Sequence, residues 1–165
     1  PIFDRSAEFK KKNIMDKIDR SILNLLQKDG KITIKEIAER LSLTTTPIFE
    51  RVKKLEREGY IKSYKAILDR KKAGLQLMVF CNVTLNLHQT DYLKKFEKDI
   101  QQFPEVVECY HVAGMFDYLI KIYAEDMESY QHFLSNKLAS LENISKVQSS
   151  FVMTEVKDFS FLPIP

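Results

Sequence analysis

No stretch of this 165-residue chain approaches the ~18–20 consecutive apolar residues of a membrane-spanning helix, so no span is expected. Cysteine is scarce. Cys81 and Cys109 stand far apart, each inside an apolar strand-like run, and there is no C-x-x-C spacing. That pattern argues against a disulfide or metal pair and leaves core packing in a reducing compartment as the expected role. The three histidines, His88, His111 and His132, have no metal-ligand spacing and read as surface or packed residues. With four glycines in all, there is no Gly-rich phosphate loop, and no nucleophile elbow or paired catalytic carboxylates appear. The expectation is therefore no catalytic residue, no metal and no cofactor. The N-terminal residues carry charges and no long apolar core, so no secretory signal is expected and the location reads as cytoplasmic.

What is present is unevenly distributed. The composition, 44% hydrophobic and 30% charged, is that of a globular protein. Residues 1–72 carry 19 Lys and Arg against 11 Asp and Glu, whereas residues 73–165 carry 7 against 12. A cationic half joined to an anionic half implies two modules with different partners. The cationic half points to the phosphate backbone of double-stranded DNA.

Periodicity divides the chain further. Residues 1–14 have no clear period and read as an extension preceding a natural start at Met15, or alternatively as a basic arm. Ile18, Ile22, Leu25 and Leu26 make one stripe of a helix over 15–28, with Gly30 as a left-handed cap. Thr33 and Glu36 form a capping box that opens a second helix to about Leu41. After a short turn at Ser42 and Leu43, Thr44 caps a third helix with Ile48, Val52 and Leu55 inward, ended by Gly59. Residues 60–68 read as a strand with Ile61 and Ile67 buried. Residues 69–74 are a charged connector, making 15–68 a winged helix-turn-helix unit.

Residues 75–156 then follow a β-α-β-β-α-β order, the ferredoxin-like arrangement, so the fold class is α+β. Its strands are expected over 77–87, 106–113, 117–124 and 144–156, and its helices around Leu93, Phe96, Ile100 and around Met127, Tyr130, Phe133, Leu134, Leu138. Residues 157–165 are an apolar tail with Phe159, Phe161 and Leu162, expected to pack on the fold or on another subunit.

A short turn between two helices lets the second enter a major groove while the first braces it. Thr44, Thr45 and Thr46 stand at the entrance of that helix, where hydroxyls and unpaired amides can hold a phosphate or base edge. Thr46, Glu50 and Lys53 face outward one turn apart; with Thr45 and Arg51 they are the candidate groove contacts. Lys54 and Arg57 are candidates for phosphate or solvent. Glu50 repels phosphate, so it must read a cytosine or neutralise a neighbouring cation.

The run from Met15 to about Val156 resembles the Lrp/AsnC (leucine-responsive, feast/famine) family of transcription regulators. The resemblance rests on Asp19 with the Leu25-Leu26 helix, Arg51-Val52, Leu55-Glu56-x-x-Gly59-x-Ile61, and Gly114-x-x-Asp117-Tyr118. It implies a winged helix-turn-helix joined by a hinge strand to an amino-acid-sensing domain. It also implies dimers formed through the sheets, assembly of dimers into octamers or open helices, and an effector bound between dimers beside the Gly-x-x-Asp turn. Two positions depart from the common pattern: Met115 follows the turn glycine where many members have an acidic or small polar residue, and Thr45 stands where many have proline.

Physical chemistry supports a zwitterion site at that turn. Backbone amides of the turn can hold a carboxylate, and Asp117 can face an ammonium group. The turn is made by Gly114, and apolar neighbours such as Met115, Phe116 or a partner's side chains would choose the effector's side chain, with His111 and Ser150 as further candidates. The plainer alternative is that Gly114 makes the hairpin and Asp117 caps it. At the level of function, the leading expectation is a DNA-binding transcription regulator modulated by a small effector, an amino acid. The alternatives are an architectural DNA-binding protein without effector, and a tetrapyrrole-modifying enzyme of the same two-domain layout.

Overall fold

The computed structural model describes residues 15–157 and 161–165; the expectations for residues 1–14 and for Phe159 lie outside them. The chain forms two compact units, one of residues 15–67 with 161–165 and one of residues 68–157.

The first unit packs three helices: α1 (Lys17–Lys28), α2 (Ile34–Arg40) and α3 (Thr45–Arg57). Asp16 caps α1, its side chain accepting from the Asp19 amide in a reciprocal capping box. Thr33 and Glu36 form the same device at the start of α2. The inward positions Ile22, Ile37, Ile48 and Leu55 are at most 1% exposed. Each removes a full aliphatic side chain from water, a contribution of about 1.5–3 kcal/mol. Leu162 exchanges hydrogen bonds with Gln27, and Ile164 packs on this core, so residues 161–165 belong to the first unit.

One turn expectation is corrected and the others are filled in. Gly30 does not adopt the left-handed region. Instead Asp29 ends α1: its carboxylate accepts from the Lys31 amide at 2.9 Å and its carbonyl from Ile32. After α2, Ser42 takes φ 54°, and the amides of Ser42 and Leu43 donate back to Glu39 and Ala38. This is a Schellman closure with serine where glycine is usual. At the end of α3, Gly59 is left-handed, with φ 78°.

Residues 60–68 do not form a strand. Ile61 is half-buried against the helical core, but Ile67 and Leu68 are 72% and 75% exposed. A strand requires a hydrogen-bonding neighbour, and among the described residues the single chain offers none to this segment.

The second unit is a four-stranded antiparallel sheet with helices on one face. Its strands are β1 (Leu77–Leu85), β2 (Val106–His111), β3 (Tyr118–Ala124) and β4 (Ile144–Phe151), in the spatial order β2-β3-β1-β4. The helices are α4 (Thr90–Ile100) and α5 (Met127–His132). Val79, Cys81, Val83 and Leu85 of β1 and Tyr118, Ile120 and Ile122 of β3 make the floor of the core, and Phe96, Ile100, Tyr130, Phe133 and Leu138 cover it. The predicted second helix changes pitch. After α5 the chain makes a π turn over Phe133–Lys137 and a 3₁₀ turn over Leu138–Ser140. Phe133 and Leu138 are five residues apart, and the wider turn lets both be buried. No helix of the described residues is long and apolar enough to cross a membrane.

Candidate nucleic-acid interface and effector site

In the first unit, α3 buries Ile48, Val52 and Leu55 and turns Thr45, Thr46, Phe49, Glu50 and Lys53 outward. Thr44 occupies the cap position with extended backbone, but its side chain makes no capping bond. Lys54 is half-buried and Arg57 exposed, both in the last turn. Lys53 Nζ lies 3.0 Å from Glu56 and 5.8 Å from the centre of the Phe49 ring. Glu56 also accepts from the Tyr64 hydroxyl at 3.1 Å. These contacts, Lys53 first, hold the Glu56 carboxyl below its ordinary range. Phe49 did not emerge from the sequence, and Glu56 only as part of the Leu55-Glu56-x-x-Gly59-x-Ile61 run. Phe49 is one turn from both Thr45 and Lys53, and that spacing was the available signal.

Arg51 is not placed as the sequence suggested. Its guanidinium turns back onto α1, where Nη1 lies 2.6 Å from both Asp16 and Asp19. The Asp19 side chain is 3% exposed and that of Arg51 29%. A carboxylate so buried needs a cation, and Arg51 supplies it. The pairing with Asp19 and then Asp16 raises the Arg51 pKa further. Here Arg51 fixes α3 against α1 rather than pointing away from the unit.

In the second unit the β2–β3 hairpin is closed by the Val112 amide donating to the Asp117 carbonyl at 2.9 Å. Gly114 at its tip has φ 148°, and an added Cβ would meet nothing within 4 Å, so the demand there is conformational and not spatial. Met115 is 89% exposed and Phe116 half-buried. The Asp117 carboxylate is already engaged. Oδ2 accepts from the Leu85 amide at 2.7 Å and Oδ1 lies 3.0 Å from Nε2 of His88. Asp117 therefore ties the hairpin to the end of β1.

His111 and Ser150 are not brought together. Strand register pairs His111 with Tyr118 on the helix-covered face, whereas Ser150 pairs with Phe80, whose neighbour across β3 is Lys121, on the opposite face. The His111 ring stacks on Tyr118 with centroids 4.8 Å apart, and the Tyr118 hydroxyl donates to Glu97 at 3.0 Å. These residues line a groove of about 400 Å³ between α4 and β2, with Cys109 and Ile100 in its wall. Cys81 is buried, with Sγ 3.1 Å from the Tyr130 hydroxyl, and both cysteines are free. Among the described residues no cluster of three His, Cys, Asp or Glu could hold a metal ion.

Comparison with known proteins covers nearly the whole chain. Residues 15–62 match a winged helix-turn-helix DNA-binding family and residues 78–160 the Lrp/AsnC ligand binding domain. The chain is 41% identical over 150 residues to a leucine-responsive regulatory protein of Klebsiella pneumoniae, covering 91% of this chain and 92% of that one. Among solved structures, a transcriptional regulator of Neisseria meningitidis in complex with L-Met superposes with TM-score 0.87 at 34% identity, covering 91% of this chain and 97% of that one. An AsnC family regulator of Agrobacterium tumefaciens gives TM-score 0.86 at 36% identity, covering 90% and 97%.

Proposed function

The chain belongs to the Lrp/AsnC family of transcription regulators, and from that premise we propose that it grips double-stranded DNA through α3 and is modulated by an amino acid bound beside the Gly114–Asp117 turn. The observation that carries the DNA reading is the outward face of α3. Thr44, Thr45, Thr46, Glu50 and Lys53 are all exposed on a helix whose opposite face is core. The entrance amides lack a side-chain cap, which suits them to a phosphate. Thr45, Thr46, Glu50 and Lys53 are read as groove contacts, with Lys54 and Arg57 as phosphate contacts. Arg51 is assigned to bracing the helix. Duplex titration at several salt concentrations tests this reading: binding must weaken steeply as salt rises.

For the effector, the regulator from Neisseria meningitidis carries L-methionine, and the curated relative is named for leucine. An amino acid is therefore the proposed ligand class, its carboxylate at the turn formed by Gly114, Met115 and Phe116 and its ammonium toward Asp117. His111 and Ser150 lie on opposite faces within one chain, so both can serve one ligand only if more than one copy contributes. That fits dimers joined through their sheets and dimers assembling to octamers, with the effector between dimers. An effector that binds one assembly better than another shifts the equilibrium by its differential affinity, typically ~1–3 kcal/mol. Analytical ultracentrifugation with and without L-leucine or L-methionine tests this; an unchanged assembly and unchanged DNA affinity would leave the architectural reading. The enzyme alternative is disfavoured because its two acid/base candidates are not joined to each other: Asp117 is hydrogen-bonded to the Leu85 amide and to His88, whereas the His111 ring stacks on Tyr118.

A further inference from the structure

We propose that Phe49 is a specificity-determining residue of the DNA-binding face, one that reads thymine through its 5-methyl group in the major groove. This rests on the DNA reading above and adds a base preference to it. Phe49 belongs to α3 but not to the core beneath that helix. Ile48, Val52 and Leu55 are at most 5% exposed, whereas Phe49 is 45% exposed. It stands one turn from Thr45 and from Lys53 and next to Glu50, all exposed and all assigned above to the groove.

The ring is held in place. The Lys53 ammonium lies 5.8 Å from its centre, within the range of a cation–π contact. Lys53 is itself fixed by Glu56 at 3.0 Å, and Glu56 accepts from the Tyr64 hydroxyl at 3.1 Å. These contacts, in series, restrain a side chain that has only two χ angles to begin with. Little freedom remains to be lost when the ring meets a partner, the condition for preorganised recognition.

What the ring can recognise follows from the chemistry of the surfaces that meet. α3 carries Arg51, Lys53, Lys54 and Arg57 against Glu50 and Glu56, a cationic balance that suits a polyanion. A phenyl ring has no donor for a phosphate oxygen and no partner for the polar groups of a base edge. The major groove exposes hydrogen-bonding groups and one apolar group, the C5 methyl of thymine. An apolar side chain standing among groove contacts therefore discriminates by that methyl. Thymine buries its methyl against the ring; the other bases leave the ring facing polar edges or water.

The test begins with selection of a tight-binding duplex by the full chain from a random-sequence pool. Each thymine of that duplex is then replaced singly by uracil, which removes the methyl and leaves the pairing unchanged. Fluorescence anisotropy compares wild type, Phe49→Ala and Phe49→Gln on every duplex. For wild type, replacement at one position of the selected site is expected to weaken binding about three- to five-fold, the worth of one carbon group taken out of water. In both variants the penalty at that position is expected to vanish, while the dependence of binding on salt keeps its wild-type slope, because no phosphate contact is lost. The uracil series on wild type needs no variant, and a flat series overturns the proposal. So does a penalty that persists undiminished in both variants, which would trace it to the shape of the duplex. A changed assembly size in Phe49→Ala with the uracil profile intact would place the ring at a contact between copies, and overturns it as well. Failure to enrich any duplex would instead refute the DNA reading, and this proposal with it.

Discussion

Nη1 of Arg51 in α3 lies 2.6 Å from Oδ1 of Asp19 in α1, joining two helices through a carboxylate that is almost wholly removed from water. Either half left alone is unfavourable: a buried anion without its cation, or a guanidinium without its partner. Asp19→Ala and Arg51→Ala should each lower stability by about 1–3 kcal/mol, with a coupling energy above ~0.5 kcal/mol in the double variant. Thermal unfolding of the four proteins measures this. Because Arg51 acts through α3, its loss should weaken binding to all duplex sequences alike. A loss confined to one base position in a mutated operator series would return Arg51 to the groove.

Ser42 closes α2 in a left-handed conformation that serine adopts with strain. Ser42→Gly should stabilise the protein by about 0.5–1 kcal/mol, a left-handed penalty of about 1–2 kcal/mol for the side chain offset in part by the greater chain entropy of glycine. The shift in unfolding midpoint reads this directly, and a destabilised variant would contradict the Schellman assignment.

Two carboxylates make the first unit sensitive to acid. The Asp19 amide, and behind it the Arg51 guanidinium, hold Asp16 below its ordinary range against the opposing effect of burial. The Thr33 amide and hydroxyl do the same for Glu36. A depressed carboxylate stabilises the fold above its unfolded value, about 4. That contribution disappears as pH falls through the lower folded values. Helical circular dichroism should therefore be flat from neutrality to about pH 5 and decline below about pH 4. Asp16→Asn and Glu36→Gln should be less stable at neutral pH and lose less on acidification.

Burial, with the Glu97 carboxylate behind it, pushes the Cys109 thiol up to about 11, and burial also raises Cys81. The thiolate is the reactive form, so alkylation of Cys109 in the folded protein at about pH 8 should be some two orders of magnitude slower than in the unfolded chain, and that of Cys81 slower as well. Rapid labelling of Cys109 would show that the groove opens.

Much of this architecture was legible in the sequence because it depends on local spacing. The stripe of Ile22, Leu25 and Leu26, the Thr33–Glu36 box and the alternation through β1 each report an element without reference to the rest of the chain. The strand expected over 60–68 does not form because inward positions expected at Ile61 and Ile67 can describe a strand's faces but not supply its neighbour. The Gly30 cap was misread because an aspartate side chain can end a helix as well as a left-handed glycine, as Asp29 does. The Asp19–Arg51 pair spans 32 residues and was missed, although Asp19 falls one turn before Ile22 on the inward stripe. An acid on an apolar stripe demands a cation, and that was the signal. His88 carried no signal of its own; its contact with Asp117 arises where the β1 end meets the hairpin.

The most direct test of the account is fluorescence anisotropy of a labelled duplex across a salt series, comparing wild type with a Lys54→Ala, Arg57→Ala variant. The logarithm of the wild-type binding constant should fall linearly with the logarithm of salt concentration, and the slope should shrink by about one for each phosphate contact removed. Binding to no duplex, or binding indifferent to salt in both proteins, would contradict the assignment of α3 to DNA.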